Sequence, residues 1–257
     1  SAGHALLPHA EAVELASRSA SGIKDEGSLT GSVRVVSPDE FGAFLLSSGI
    51  ASLAAMHPDL AVQMVTYTRN VPLGLREFDV AVTLERPSTT QVAARSLSRY
   101  RLALYASREY LDAAPPITEK ADLAQHRFIW YVDDLLDITP LRRFEEIIPK
   151  PRISVNLNSV TGHWQAASSG AGIAPLPCYL GDADDRLECV LRDEVELWGE
   201  YWLAVPKEYL LHARVRAVVE LIVSTVRQRG ADLLGLASWR VRLAMVVHFC
   251  SRRCANG

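Results

Sequence analysis

The stretch Leu29-Thr-Gly-Ser-Val-Arg-Val-Val-Ser-Pro-Asp-Glu-Phe41 decides how the rest of the chain is read. Ser32 to Val36 reads as a short buried strand that runs into a helix with almost no loop between. Ser37 is placed as the N-cap, Pro38 as the first helical residue, where a missing N–H is harmless, and Glu40 as the partner completing a Ser-x-x-Glu capping box. The carboxyl end of a strand therefore meets the amino end of a helix. In an open α/β sheet such a junction faces the ligand crevice, because free backbone N–H groups and the positive end of the helix dipole point into it. The same pattern also serves as a plain structural turn, so its function is decided by what surrounds it.

Outward from this stretch, strand and helix patterns alternate, the signature of βαβ units around a mainly parallel sheet. A helix is expected over 38–57, ending at His57-Pro58, then a strand at 61–66, a short helix at 73–77 and a strand Asp79-Val-Ala-Val-Thr83. Arg101-Leu-Ala-Leu-Tyr105 reads as the next strand. A second set follows: helices at 108–113 and 119–125, a strand at 128–132, a helix at 139–147, a strand at 153–156 and a helix at 160–169. Gly170-Ala-Gly172 caps that helix and turns the chain into Ile173-Ala-Pro-Leu176. Tyr201 to Val205 is a strand, and Ala213 to Arg227 a helix with Val215, Val218, Val219, Ile222 and Val226 on its inward face. On the amino-terminal side, residues 4–24 read as a helix whose narrow stripe (Leu6, Ala10, Val13, Ser17, Ala20) suits packing on a partner, with Gly22 and Gly27 marking a hinge.

Composition bounds the function. The 257 residues suffice for a full core, and 49% hydrophobic with 22% charged content is ordinary for a globular protein. A net charge of −3 argues against the chain itself being a nucleic-acid footprint. Cys178, Cys189, Cys250 and Cys254 form no disulfide framework, which predicts a reducing cytoplasm. No signal peptide and no membrane span is read, since His4, His9 and Glu11 break any early apolar run. The first residue is Ser, so a fragment or processed product is expected.

Several landmarks in order then resemble one family, the effector-sensing region of LysR-type transcriptional regulators. They are Leu29-Thr-Gly-Ser-Val-Arg-Val35, His57-Pro-Asp-Leu60, Phe78-Asp-Val-Ala-Val82, Asp122-Leu123, Asn158-Ser159 and Gly170-Ala-Gly-Ile-Ala-Pro-Leu-Pro177. Ala2-Gly-His-Ala-Leu-Leu-Pro8 resembles the end of the family's DNA-binding module running into its linker helix. The resemblance covers residues 1 to about 228. It implies an α/β fold of two Rossmann-like lobes, the periplasmic-binding-protein type 2 architecture, preceded by a linker helix. The expected organisation is linker helix and hinge 1–28, effector-binding domain 29–228 (lobe I about 29–101 and 204–228, lobe II about 102–203), and a basic extension 229–257 of unknown role.

The resemblance also implies a small-molecule effector held between the lobes, a carboxylate or amino acid, and a homodimer or tetramer. Carried over residue by residue, the effector site comprises Ser37, Pro38, Asp39, Thr66, Tyr67, Thr83, Asn158 and Ser159. Asp39 weighs against a dianionic effector, and Arg69 and His163 are candidate counter-charges. DNA would be contacted through a winged helix-turn-helix preceding Ser1. The alternative is a free-standing solute-binding protein of the same fold.

No catalytic set, metal site or cofactor is expected. There is no Gly-x-Ser-x-Gly elbow, phosphate-loop lysine or His-Glu-x-x-His, and His248, Cys250 and Cys254 supply one ligand too few for a closed structural zinc site. Trp130-Tyr131 before Asp133-Asp134 reads as core more readily than as cleft.

Overall fold

The computed structural model describes residues 29–67, 78–132, 148, 151–195 and 197–236. The helices expected at 4–24, 73–77 and 139–147 lie outside these residues. So do Arg69, Asp133, Asp134, and the tail with His248, Cys250 and Cys254. The chain divides into two compact units. The described residues of 29–67, 78–95 and 203–225 form the first, and those of 96–202 and 226–236 the second.

In the first unit, strands β1 (Gly31–Pro38), β2 (Leu60–Tyr67) and β3 (Val80–Thr83) are parallel, β1 pairing with both others. Because β1 is covered on both faces, it carries the near-continuous apolar run typical of interior parallel strands, with Val33 and Val35 wholly buried. Asp79 fixes the register: its carboxylate accepts from Arg34 N at 2.7 Å, while its own N–H donates to Arg34 O at 2.9 Å. The long strands β4 (Val92–Ser107) and β9 (Leu197–Pro206) each have residues in both units. The strand order in the first unit is β2-β1-β3-β9.

The helix after β1 departs from expectation at its start. β1 runs through Pro38, so Ser37 is a strand residue and not an N-cap; its hydroxyl donates to Pro38 O at 3.1 Å. The cap position falls on Glu40, with no side-chain cap bond, so the Ser37–Glu40 capping box is absent. The helix opens as a π-helical segment, Phe41–Leu46, and continues as α1 (Ser47–Met56). At the change of pitch Ser47 Oγ donates to Gly42 O and Ala43 O, at 3.0 and 2.7 Å, occupying carbonyls that a π-to-α step displaces.

The second unit is built on the later part of β4. Strand β5 (Arg127–Tyr131) lies parallel to β6 (Arg152–Leu157), while β7 (Ala174–Pro177) and β8 (Leu187–Val190) are both antiparallel to β4. The sheet is therefore mixed where a mainly parallel one was expected. A short, fully buried run reads the same whichever way it points, so strand direction was invisible in the sequence. Helices α2 (Arg108–Ala113), α3 (Val160–Ser168) and α4 (Cys178–Gly181) belong here. Ala103, Tyr105, Ile129, Ala167, Leu176 and Cys178 form part of one core cluster. Trp130 and Tyr131 are core as well.

Helix α5 (Ala213–Gln228) buries Val215, Val218, Ile222 and Val226 as its periodicity predicts, and Val219 is half-buried. The segment expected as a basic extension from residue 229 begins with a helical turn, α6 (Gly230–Leu233), whose Leu233 is wholly buried.

Gly172 lies where the chain entering β7 runs against β5, with Ile173 bridged to Phe128. Ile173 N donates to Arg127 O at 2.8 Å, and a Cβ on Gly172, at φ +152°, would lie 2.4 Å from that same oxygen. Gly172→Ala is expected to destabilise the chain by about 3 kcal/mol through overpacking and backbone strain together. A lowered midpoint in urea unfolding checks this; an unchanged midpoint refutes it.

Candidate functional site

The first set of predicted site residues lies at one sheet edge. Register pairs Ser37 with Thr66 and Pro38 with Tyr67, and Val36 with Ala81, so Thr83 ends β3 level with Pro38. Three parallel strands thus finish together at their carboxyl ends, the edge at which open α/β sheets bind ligands. The helix start rests on this edge. A Cβ at Gly42 would stand 2.7 Å from Ser37 Oγ and 3.1 Å from Thr66 Cγ2, so only glycine allows the approach.

The individual side chains differ in what they can offer. Ser37, Pro38 and Thr83 are buried, Asp39 and Tyr67 half-buried, and Thr66 exposed. Tyr67 Oη donates to Val82 O at 2.8 Å, and Thr83 Oγ1 to Glu85 O at 2.7 Å. With Ser37 bonded to Pro38 O, three hydroxyl hydrogens at this edge are committed to carbonyls. Of the three, Tyr67 is the half-buried one, and its oxygen keeps a lone pair, so the edge presents an acceptor there. Glu40 also lies beside this edge: it is 3% exposed, and its carboxyl group, after burial itself, pushes the Tyr67 phenol above its ordinary range. The sequence puts Glu40 beside this site but spends its carboxyl on a capping box that the structure lacks.

In the second unit, β6 leads through the exposed Asn158 to Ser159, which is the N-cap of α3 as predicted. Its Oγ accepts from Gly162 N at 3.1 Å. His163 is neither solvated nor a surface counter-charge. It is wholly buried, with Nε2 3.1 Å from Leu157 O and its ring 4.2 Å from that of Tyr131. The far side of α3 is tied down by Asp184, which accepts from Trp164 Nε1 (2.8 Å), Ser168 Oγ (2.9 Å) and both Nε and a terminal nitrogen of Arg186 (2.9 and 2.7 Å). Asp184 was not singled out in the sequence, where Asp182, Asp184 and Asp185 look alike.

Residues 26–227 match the family model described as the LysR substrate binding domain. The chain belongs to this family. Among curated proteins it is similar to the HTH-type transcriptional regulator PtxR of Pseudomonas aeruginosa, 25% identical over 200 residues, covering 76% of this chain. The chain spans 64% of the length of that relative. Among solved structures it is similar to the regulatory domain of CrgA from Neisseria meningitidis, with TM-score 0.62 and 21% identity over 76% of this chain and 98% of that one. The effector domain of AmpR from Pseudomonas aeruginosa gives TM-score 0.62 and 20% identity over 78% and 98%. At these identities the structural likeness shows the fold alone, the periplasmic-binding-protein type 2 fold of LysR regulatory domains. As a LysR substrate-binding domain, the chain is a ligand-sensing regulatory module.

Within this LysR domain the capping of α3 and its tether can be tested apart. Ser159→Ala removes a true N-cap and is expected to cost about 1 kcal/mol of stability, whereas Ser37→Ala removes none; equal cap-sized losses in chemical unfolding would contradict the geometry. Asp184 is held well below its ordinary value of 3.8, first by the hydrogen bonds from Arg186. A depressed carboxylate stabilises the fold fully above its unfolded value, and that contribution is lost as pH falls through the lower folded value. Stability measured from pH 6 downward should therefore fall below about pH 3.8 in the native chain, and Asp184→Asn should lose stability at pH 6 and flatten this acid limb.

Proposed function

We propose that this chain is the effector-binding part of a LysR-type transcriptional regulator, switching DNA-dependent transcription in response to a small molecule. DNA would be contacted through a winged helix-turn-helix module of the complete protein. The reading of a free-standing solute-binding protein is not favoured, because the family match is to the LysR domain and the curated relative is an HTH-type regulator. The observation that carries the ligand-binding reading is the level ending of β1, β2 and β3 beside the half-buried Asp39 and Tyr67. Pro38, Asp39, Thr66, Tyr67 and Thr83 are proposed effector contacts in the first unit, with Ser37 supporting them from beneath. Asn158 and Ser159 are proposed contacts in the second.

The acceptor-rich, acidic edge favours an effector bearing an amine, amide or hydroxyl donor there. The amino end of α3 suits a carboxylate. A small carboxylate or an amino acid is the proposed effector class. No catalytic step is proposed. Burial pushes Cys178 upward and Cys189 up to about 12, leaving both thiols poor nucleophiles at neutral pH.

The chain is proposed to act in the cytoplasm; among the described residues no helix is long and apolar enough to cross a membrane. It is proposed to form homodimers, or tetramers of them. Met56 on α1 and Val65 on the edge strand β2, 67% and 44% exposed, support a partner-covered surface.

The effector reading is tested by a thermal-shift screen of amino acids, amines and small carboxylates. A ligand that stabilises the native chain should give a clearly smaller rise with Thr66→Val and with Asn158→Ala, since ligand stabilisation follows RT ln(1 + [L]/Kd). An equal rise in all three proteins would place the effector elsewhere. For assembly, sedimentation should show a dimer at micromolar concentration that Met56→Glu with Val65→Lys converts to monomer. A native chain already monomeric there sinks the dimer reading.

A further inference from the structure

A recess lies wholly within the first unit, and none of the strand-end residues just described lines it. It has a volume of about 310 Å³ and is lined by Ala93, Ala94 and Arg95 of β4, Leu203 and Val205 of β9, and, on the other side, Leu210 and the Val215–Val219 turn of α5 with Arg216. Ala93 has too small a side chain to fill the space on its face of β4, while Ala94, the next residue of the strand, turns to the opposite face and packs with Val36, Ala81 and Ala204. The walls are aliphatic: Leu203 and Val205 are buried, and Leu210 stands 41% exposed over the opening. A recess of this size matches the lower range of small-molecule pockets.

The lining carries two charges of one sign. Arg95 and Arg216 are exposed at the recess, and neither guanidinium forms an ion pair or side-chain hydrogen bond among the described residues. No carboxylate belongs to the lining. Two guanidiniums beside an aliphatic pocket suit a planar anion attached to an apolar body, since each guanidinium fork matches carboxylate geometry. An inorganic phosphate would leave the aliphatic walls unused. The tail of this chain, with Arg240, Arg242, Arg252 and Arg253, carries charge of the wrong sign.

We propose that this recess is a second small-molecule site, taking an apolar carboxylate whose body lies between β4, β9 and α5 and whose anionic group meets Arg95 and Arg216. It is distinct from the proposed effector site and differs in chemistry, one edge presenting acceptors and the other two cations.

The test is calorimetric titration of the full chain with 2-naphthoate and octanoate, alongside neutral 2-naphthamide. Saturable binding of the acids at one site is expected, with the amide at least tenfold weaker. The double variant Arg95→Gln, Arg216→Gln should weaken the acids tenfold or more, and Val219→Trp, which fills the recess, should abolish binding. Both arginines are exposed, so the double variant is expected to melt like the native chain, and that melt is measured as the folding control. Thr66→Val at the strand ends should leave naphthoate binding unchanged. The proposal is overturned if no acid saturates at millimolar concentration, if the amide binds equally, or if the arginine pair can be replaced without loss. Loss of binding in Thr66→Val alone would also overturn it, by placing the acids at the strand ends, and would leave the proposed function intact. A dimer that dissociates in the double variant, without acid binding to the native chain, would assign the recess to a second copy instead.

Discussion

The start of the first helix can lie on the ends of β1 and β2 because residue 42 has no side chain. At that point the nearest side-chain atoms belong to Ser37, Thr66 and Met64, and a methyl group would overlap the first of them at 2.7 Å. Close seating has two consequences. It closes off Ser37, which is wholly buried, and it brings Glu40, one residue before the helix begins, into a 3% exposed position beside the Tyr67 phenol. A looser junction would leave Glu40 in water, and the charge character of the strand ends would change. The π-helical pitch of Phe41–Leu46 belongs to the same accommodation: the helix widens where it is pressed on the sheet, and Ser47 takes up the displaced carbonyls.

The second unit solves a similar problem with a carboxylate. Helix α3 has nine residues, too short to hold itself in place, and its amino end is useful only if its direction is fixed. Ser159 fixes the first turn, and Asp184 holds Trp164 and Ser168 at the middle and end of the helix. Arg186 neutralises Asp184 with two of its nitrogens, so a carboxylate whose side chain is 10% exposed is never left uncompensated. The buried ring of His163, bonded toward Leu157 O, closes the remaining side.

The alternation of strands and helices was legible because it is a property of periodicity. Val33, Val35 and Val36 are apolar since β1 has two covered faces, and Val215, Val218, Ile222 and Val226 repeat because α5 has one. The resemblance to the LysR family picked out Ser37, Thr66, Tyr67 and Thr83, and the level carboxyl ends of the strands place them at one edge. What stayed hidden depends on partners distant in sequence. The tether from Asp184 to Trp164 spans twenty positions, and the closing of the helix onto Met64 and Thr66 depends on tertiary packing that no local window contains. Ser37 shows the limit most clearly. Ser-Pro-Asp-Glu is a good local capping signal, but pairing of Pro38 with Tyr67 extends the strand two residues further, and a ladder of eight registered pairs outweighs one cap.

Hydroxyl-bearing residues at a strand end are easily taken as an anion site, because a Ser or Thr in sequence is both donor and acceptor. Folding removes that symmetry. Once Ser37, Tyr67 and Thr83 have each given their hydrogen to a main-chain carbonyl, turning one toward an anion would leave a carbonyl unsatisfied in a partly buried place, at a cost of about 1–3 kcal/mol. An incoming donor to the half-buried Tyr67 meets no such cost, since its oxygen keeps a lone pair after the hydrogen is given to Val82 O. The nearby half-buried carboxylate of Asp39 biases the edge the same way by Coulomb attraction. Residue identity therefore marks a strand end rich in hydroxyls, while the hydrogen-bond directions set by the surrounding fold decide whether those hydroxyls offer donors or acceptors.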